Sequence, residues 1–195
     1  MTATIYKPDT KGYLDFVLSN STPGDAESVL AAMDRYAETN ALMHIGDKKG
    51  EYMDDLIRKH NTNVMMNPEF ASVAQKVIDH AGLSSKVTII VGEFKVSSNE
   101  FLSTYGVKKV DLVFIDHWME VYVQDLKIIE EAQWLRPGSI VVADNVLFPG
   151  APEYQAYIEK NSAKFSSRLI KIQTPHPMKP KETILDGLLV AELKV

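Results

Sequence analysis

The chain contains no cysteine. Disulfides, thiolate nucleophiles and sulfur-ligated zinc are thereby excluded. It has no apolar run near the ~18 residues that a membrane-crossing helix needs. The opening Met1-Thr2-Ala3-Thr4-Ile5-Tyr6-Lys7-Pro8 has no apolar signal core. No long basic run is present and the net charge is −5, which counts against nucleic acid and anionic membrane as partners. His44, His60, His80 and His176 show no metal-ligand spacing. No serine sits in a Gly-x-Ser-x-Gly elbow. Gly46, Gly50, Gly82 and Gly92 are scattered, and none builds a strand–Gly-x-Gly–helix phosphate loop. The expectation is a soluble cytoplasmic protein. Its 195 residues, 45% of them hydrophobic, suffice for one domain with a real core.

What is present is an alternation of helix and strand. Residues 1–22 are mixed and end in the turn Thr22-Pro23-Gly24. Asp25 then caps a helix whose Val29, Leu30, Met33 and Tyr36 recur at helical spacing. Asp47 caps a second helix with Met53, Leu56 and Ile57 turned inward, and the pair Lys48-Lys49 reads as a solvated face. Val64-Met65-Met66 is a short apolar scrap. Asn67-Pro68-Glu69 opens a third helix that closes at Ala81-Gly82. Strands follow at Val87–Val91, Val110–Ile115 and Ser139–Ala143, with helices near Ser97–Tyr105, Glu120–Leu135 and Glu153–Lys160. Trp134, at a helix end, reads as packing. Ser167–Gln173 and Ile184–Lys194 read as an antiparallel pair, because the Pro- and Lys-rich connection Thr174–Thr183 cannot form a crossover helix. The pattern is α/β: a doubly wound, Rossmann-like sheet with a C-terminal antiparallel hairpin. The whole of 1–195 reads as one domain, with residues 1–60 a helical cap and 61–195 the sheet core.

Two apolar strands end in carboxylates: Phe114-Ile115-Asp116-His117-Trp118 and Val142-Ala143-Asp144-Asn145. Ligands of open α/β sheets bind beyond the carboxyl ends of the strands. Asp116, Asp144 and Asn145 would meet there as an all-oxygen cluster, the chemistry that hard divalent cations such as Mg²⁺ select. The plainer alternative is that each Asp caps the helix after it. Trp118 is open to two readings, pocket wall or core, and His117 to a ligand contact or a satisfied half-buried ring.

The motifs Ile115-Asp116-His117-Trp118 and Ala143-Asp144-Asn145-Val146-Leu147-Phe148-Pro149-Gly150 resemble those of the catechol O-methyltransferase family of S-adenosylmethionine-dependent enzymes. Further likenesses run in family order: Gly24-Asp25-Ala26-Glu27-Ser28, Gly46-Asp47-Lys48-Lys49-Gly50, Met66-Asn67-Pro68-Glu69-Phe70 and Leu135-Arg136-Pro137-Gly138. The resemblance implies a class I methyltransferase fold and methyl transfer from S-adenosylmethionine to a hydroxyl of a small-molecule catechol. It implies Mg²⁺ on Asp116, Asp144 and Asn145. It places Met43, Ile45, His117 and Trp118 on the cofactor side. Trp118, Asn145, Pro149 and, less directly, Glu182 then face the substrate. A monomer is expected.

The chain also departs from the family pattern. The Gly-rich cofactor loop, the helix after it and the strand ending in a ribose-binding Glu are absent, ~25–30 residues or about one strand–helix unit. Met65 or Met66 stands where a carboxylate is expected, and Met119 stands at the position of the lysine general base. The excision respects the unit boundary. The strand order expected is Val87–Val91, Asn63–Met66, Val110–Ile115, Ser139–Ala143, Ile184–Lys194, Ser167–Gln173, unless Asn61–Met66 is only a loop. Poor turnover follows. Two other readings stay open: an inactive remnant or incomplete copy that at most binds divalent metal or catechols, and an unrelated Mg²⁺-dependent hydrolase.

Overall fold

A computed structural model describes residues 9–57, 64–66, 68–92 and 94–194. The elements are α1 (Thr10–Ser19), α2 (Ala26–Ala37), α3 (Gly46–Ile57), β1 (Val64–Met66), α4 (Pro68–His80), β2 (Ile89–Val91), α5 (Phe94–Thr104), β3 (Leu112–Ile115), α6 (Tyr122–Glu131), β4 (Ile140–Ala143), α7 (Pro152–Lys160), β5 (Phe165–His176) and β6 (Lys179–Leu193). No helix among the described residues is long and apolar enough to cross a membrane. The chain divides into two compact units. One comprises Met1–Gly46, Asn63–Val91 and Pro175–Glu182; the other comprises Asp47–Thr62, Gly92–Thr174 and Thr183–Val195.

In the first unit, α1 packs on α2 and α4. The sequence predicts no helix within residues 1–22, and α1 corrects that expectation. Its N-cap Asp9 accepts a hydrogen bond from Gly12 N at 2.8 Å, and Tyr13, Phe16 and Val17 share one face. Val17, Val29 and Ala81 are buried together, with Tyr13, Met33, Val77 and Leu83 around them. Asp25 caps α2 as expected, accepting from Ser28 N at 3.0 Å. The buried stripe of α2 runs through Val29, Ala32 and Tyr36; Leu30 is exposed, contrary to expectation. α4 begins at Pro68 and closes in a Schellman motif: Gly82 (φ +73°) donates to Asp79 O and Leu83 N donates to Ile78 O. β1 and β2 pair in parallel, Val64 opposite Ile89 and Met66 opposite Val91, with α4 as the crossover. A mere loop before Asn67 is thus excluded.

The second unit holds a four-stranded sheet in the order β3-β4-β6-β5. β3 and β4 are parallel, Leu112 opposite Ile140 and Ile115 opposite Ala143. β6 runs antiparallel to β4, with Val142 opposite Val190. Among the described residues, the expected strand order is thus found as two blocks, β2-β1 and β3-β4-β6-β5, each its own sheet. The core of this unit contains Val141, Val142 and Ala143 of β4, Tyr122 and Leu126 of α6, Tyr154 and Ile158 of α7, and Leu188 of β6. α6 is shorter than the helix expected over 120–135. It follows a single 3₁₀ turn at Met119–Val121 and ends at Glu131. Gln133 takes a positive φ of 55° and Trp134 N bonds back to Ile129 O. Trp134 is thereby turned inward as packing, its ring 4.5 Å from that of Phe101 and 5.6 Å from that of Phe94.

The C-terminal hairpin forms as expected but is longer. The supposed connection over 174–183 is mostly strand, and only Pro177-Met178 lies between β5 and β6. Thr174, Thr183 and Ile184 favour extended backbone. Pro175 lies on β5, the sheet's edge strand, where a missing N–H is tolerated.

Candidate functional site

Parallel pairing of β3 with β4 brings two carboxylates to the same end of the sheet. Ile115 and Ala143 are register partners, so Asp116 and Asp144 follow side by side. Asp144 N donates to Ile115 O at 2.9 Å, carrying the pairing one residue further. Asn145 then adopts the left-handed conformation (φ 55°, ψ 28°) and turns the chain into the tight π-type turn Val146–Gly150. Asn and Asp tolerate that conformation better than other side chains. Asp144 is buried, Asn145 half-buried and Asp116 exposed.

The sequence reading missed two residues that complete this cluster. Lys49, read as solvated, is 3% exposed. Its Nζ lies 2.5 Å from Asp144 Oδ1 and 2.7 Å from Asp186 Oδ2. An ammonium taken out of water needs such partners. Lys48, beside it, is exposed as expected, with its Nζ on Gln173 O at 3.1 Å. A signal for Lys49 existed, since it stands four residues before Met53, the other buried position of α3. Ile57, expected inward, is exposed. Asp186, 1% exposed, interrupts the apolar strand β6. A carboxylate there requires a counter-ion, and that was the legible sign.

Asp186 gathers the site. Its Oδ2 accepts from Lys49 Nζ and, at 2.9 Å, from Asn145 Nδ2. Its Oδ1 accepts from the backbone N–H groups of Leu147 (3.3 Å), Phe148 (2.9 Å) and Gly187 (2.7 Å). Burial acts against its charge, but the bonds from Lys49 and Phe148 outweigh it and hold the carboxyl below its usual range. Burial likewise works against the charge of Lys49, and Asp144 and Asp186 overcome it, raising its pKa. Asp144 is shifted upward, by burial first, with Lys49 opposing. Although the residue as a whole is exposed, the surroundings of its carboxyl push Asp116 up to about 7, by desolvation first and then by the charge of Asp144, with Lys49 opposing and Asp186 adding to the rise.

The donor set suits a hard cation. Among the described residues, both hydrogen bonds on the Asp144 carboxylate fall on Oδ1, from Lys49 Nζ and from Asn145 N. Asn145 spends its amide N–H on Asp186 and keeps its carbonyl oxygen. With the Asp116 carboxylate, the oxygens on offer are two carboxylates and one amide. Mg²⁺ takes such ligands with water completing its shell. No cluster of three or more His, Cys, Asp or Glu residues fit to hold a metal occurs among the described residues.

Around the cluster, His117 Nε2 lies 2.6 Å from Asp125 Oδ2, and the ring lies 5.2 Å from that of Tyr122. The histidine is therefore satisfied and only partly buried. Tyr122 donates to the backbone oxygen of Asp144 at 3.3 Å. Trp118 is 76% exposed, which excludes the core role. Met119 is half-buried at the start of the 3₁₀ turn. Pro149 is exposed on the turn that Asp186 ties down. Met43, Ile45 and Glu182 belong to the other unit. Met43 is exposed, Ile45 half-buried, and Glu182 pairs with Lys179 at 3.1 Å.

A family model described as O-methyltransferase matches residues 58–172. The chain is 33% identical over 189 residues to catechol O-methyltransferase of Bos taurus, over 80% of this chain and 70% of the relative. It is 32% identical over 179 residues to that of Mus musculus, over 77% of this chain and 68% of the relative. The bovine alignment is 189 positions long yet takes up 80% of 195 residues, about 156, so about 33 of its positions have no counterpart here. That is the length of one strand–helix unit. The solved O-methyltransferase from Bacillus cereus in complex with SAH shares the fold, with a TM-score of 0.59 at 17% identity over 98% of this chain and 94% of that one. With an α/β sheet whose parallel strands end in Asp116 and Asp144, and with these matches along most of its length, the chain belongs to the O-methyltransferase family, on the catechol O-methyltransferase branch.

Proposed function

We propose that the chain keeps the metal and substrate half of a Mg²⁺-dependent catechol O-methyltransferase site while its S-adenosylmethionine half is reduced. The observation that carries this reading is the adjacency of Asp116 and Asp144 at paired strand ends, with Asn145 following and a set of uncommitted oxygens. Asp116, Asp144 and Asn145 would hold the metal. A Mg²⁺ ion held by these residues would supply Lewis acidity, lowering the pKa of a substrate hydroxyl. Asn145 would also meet the substrate, with Trp118 and Pro149 as walls of the ring site and Glu182 as a further contact. Met43, Ile45, His117 and Trp118 would line the cofactor.

This chain's own residues limit the reaction. Met119 is a thioether and takes no proton, and loss of a general base costs ~10²–10⁴ in rate. Each charged hydrogen bond missing from the ribose costs ~1.5–3 kcal/mol, so S-adenosylmethionine binding is expected to be weakened by several orders of magnitude. The reading takes 1–195 as one methyltransferase domain, monomeric in solution, which sedimentation checks.

Radiolabelled methyl transfer to a simple catechol, with and without Mg²⁺, is the test, beside calorimetry of Mg²⁺ and S-adenosylmethionine. Slow, Mg²⁺-dependent transfer supports the reading. Mg²⁺ binding without any transfer favours the non-enzymatic remnant, to which Met119 and the absent cofactor loop already point. Metal-dependent ester hydrolysis without S-adenosylmethionine would replace it with the hydrolase.

A further inference from the structure

We propose that Lys49 and Asp186 are positioning residues for the metal site, a buried ionic clamp that holds Asp144 and Asn145 in the orientation a divalent cation requires. The inference rests on the metal reading above. It adds residues from α3 and β6 that no strand-end motif contains.

The geometry is that of a clamp rather than of a competing cation. The Lys49 ammonium bridges Asp144 and Asp186. On Asp144 it takes Oδ1, the oxygen that already accepts from Asn145 N, so Oδ2 is kept for another ligand. On Asp186 it shares Oδ2 with Asn145 Nδ2, and that bond turns the Asn145 carbonyl oxygen away from Asp186. The remaining bonds of Asp186 fix the backbone of Leu147 and Phe148, which carries the chain out of Asn145. Both clamp residues are almost fully buried, at 3% and 1% exposure. Their geometry is therefore set by packing and not by solvent. Charge agrees as well. Lys49 offsets one of the three carboxylates at 116, 144 and 186, and the remaining two match one divalent cation. Partners that orient metal ligands in this way typically change affinity 10–100-fold when removed.

The test is metal affinity, measured on the full chain well below its unfolding midpoint. Mn²⁺ is followed by the loss of its free-ion paramagnetic resonance signal, and Mg²⁺ by calorimetry. Lys49→Met and Asp186→Asn are each expected to bind either ion at least tenfold more weakly than the wild type. Gly82→Ala, which strains a helix end in the other unit, should lower stability and leave affinity unchanged. Asp186→Asn is nearly isosteric and still accepts backbone N–H groups. It carries the test alone should Lys49→Met not fold. If wild type and both variants bind equally, the clamp is refuted and the metal reading stands. If the wild type binds neither ion, the metal reading itself fails and the clamp with it.

Discussion

At the scale of single residues, Lys49 shows how burial changes the meaning of a side chain. A lysine pair on a surface helix contributes solvation, whereas Lys49 meets two carboxylates out of water. Removing one member of a buried ion pair leaves the others uncompensated, at ~3–5 kcal/mol. Lys49→Met should lose stability on that scale in urea unfolding, and a change within 1 kcal/mol would contradict the assignment of a tight buried pair. Asp116 behaves differently. It holds its proton more tightly in the fold, up to about 7, than at its ordinary value of 3.8. Between those values the folded chain carries more protons than the unfolded one, so this group's contribution to stability falls as pH rises from about 4 to about 7. Asp116→Asn should flatten that slope in urea midpoints taken across the window. Parallel curves for the two proteins would show that Asp116 titrates normally.

At the scale of elements, local chemistry was readable wherever a residue type has one dominant use. The Asp25 cap and the Pro68 start identify α2 and α4 from sequence. Gly82 ends α4 in a left-handed conformation, and an added Cβ would stand 3.3 Å from Gly24 Cα. Gly82→Ala should cost ~1–2 kcal/mol by the left-handed penalty alone, measured as a drop in unfolding midpoint. In the hairpin, a Cβ at Gly187 would fall 3.0 Å from Leu169 Cδ1 and 3.2 Å from Ile170 O. Overpacking of this kind costs ~1–3 kcal/mol. Gly187→Ala should lower the unfolding midpoint accordingly, whereas Gly138, with open space at its Cβ position but φ of +86°, would report backbone strain alone. Elements without such signposts were misread. α1 carries no such signpost, because its cap, Asp9, precedes a segment of mixed polarity. The hairpin is longer than its prolines suggest, and Pro175 is tolerated because β5 is the sheet's edge strand.

At the scale of the whole molecule, the feature with the widest consequence is the strand–helix unit that the sequence reading finds absent. About 33 positions of the bovine relative have no counterpart, and β1 and β2, which flank the break expected before Asn67, pair in parallel. Restoring a relative's strand–helix unit between Met66 and Asn67 should tighten S-adenosylmethionine binding by two orders of magnitude or more, since two charged hydrogen bonds at ~1.5–3 kcal/mol each correspond to at least a hundredfold. Calorimetry on the shortened and restored chains checks this. Equal affinities would mean that the cofactor is held by residues other than the missing loop.

Sequence by itself determined the family, the alternation of helix and strand, and the placing of Asp116, Asp144 and Asn145 at strand ends. It could do so because periodicity, caps and short motifs are local, and a strand's carboxyl end is a position in the chain. The tertiary structure alone decided that Lys49 and Asp186, 137 positions apart, pair with each other and close on Asp144 and Asn145 from two other elements. Charge pairing in a core depends on which faces meet, and no window of residues contains that information.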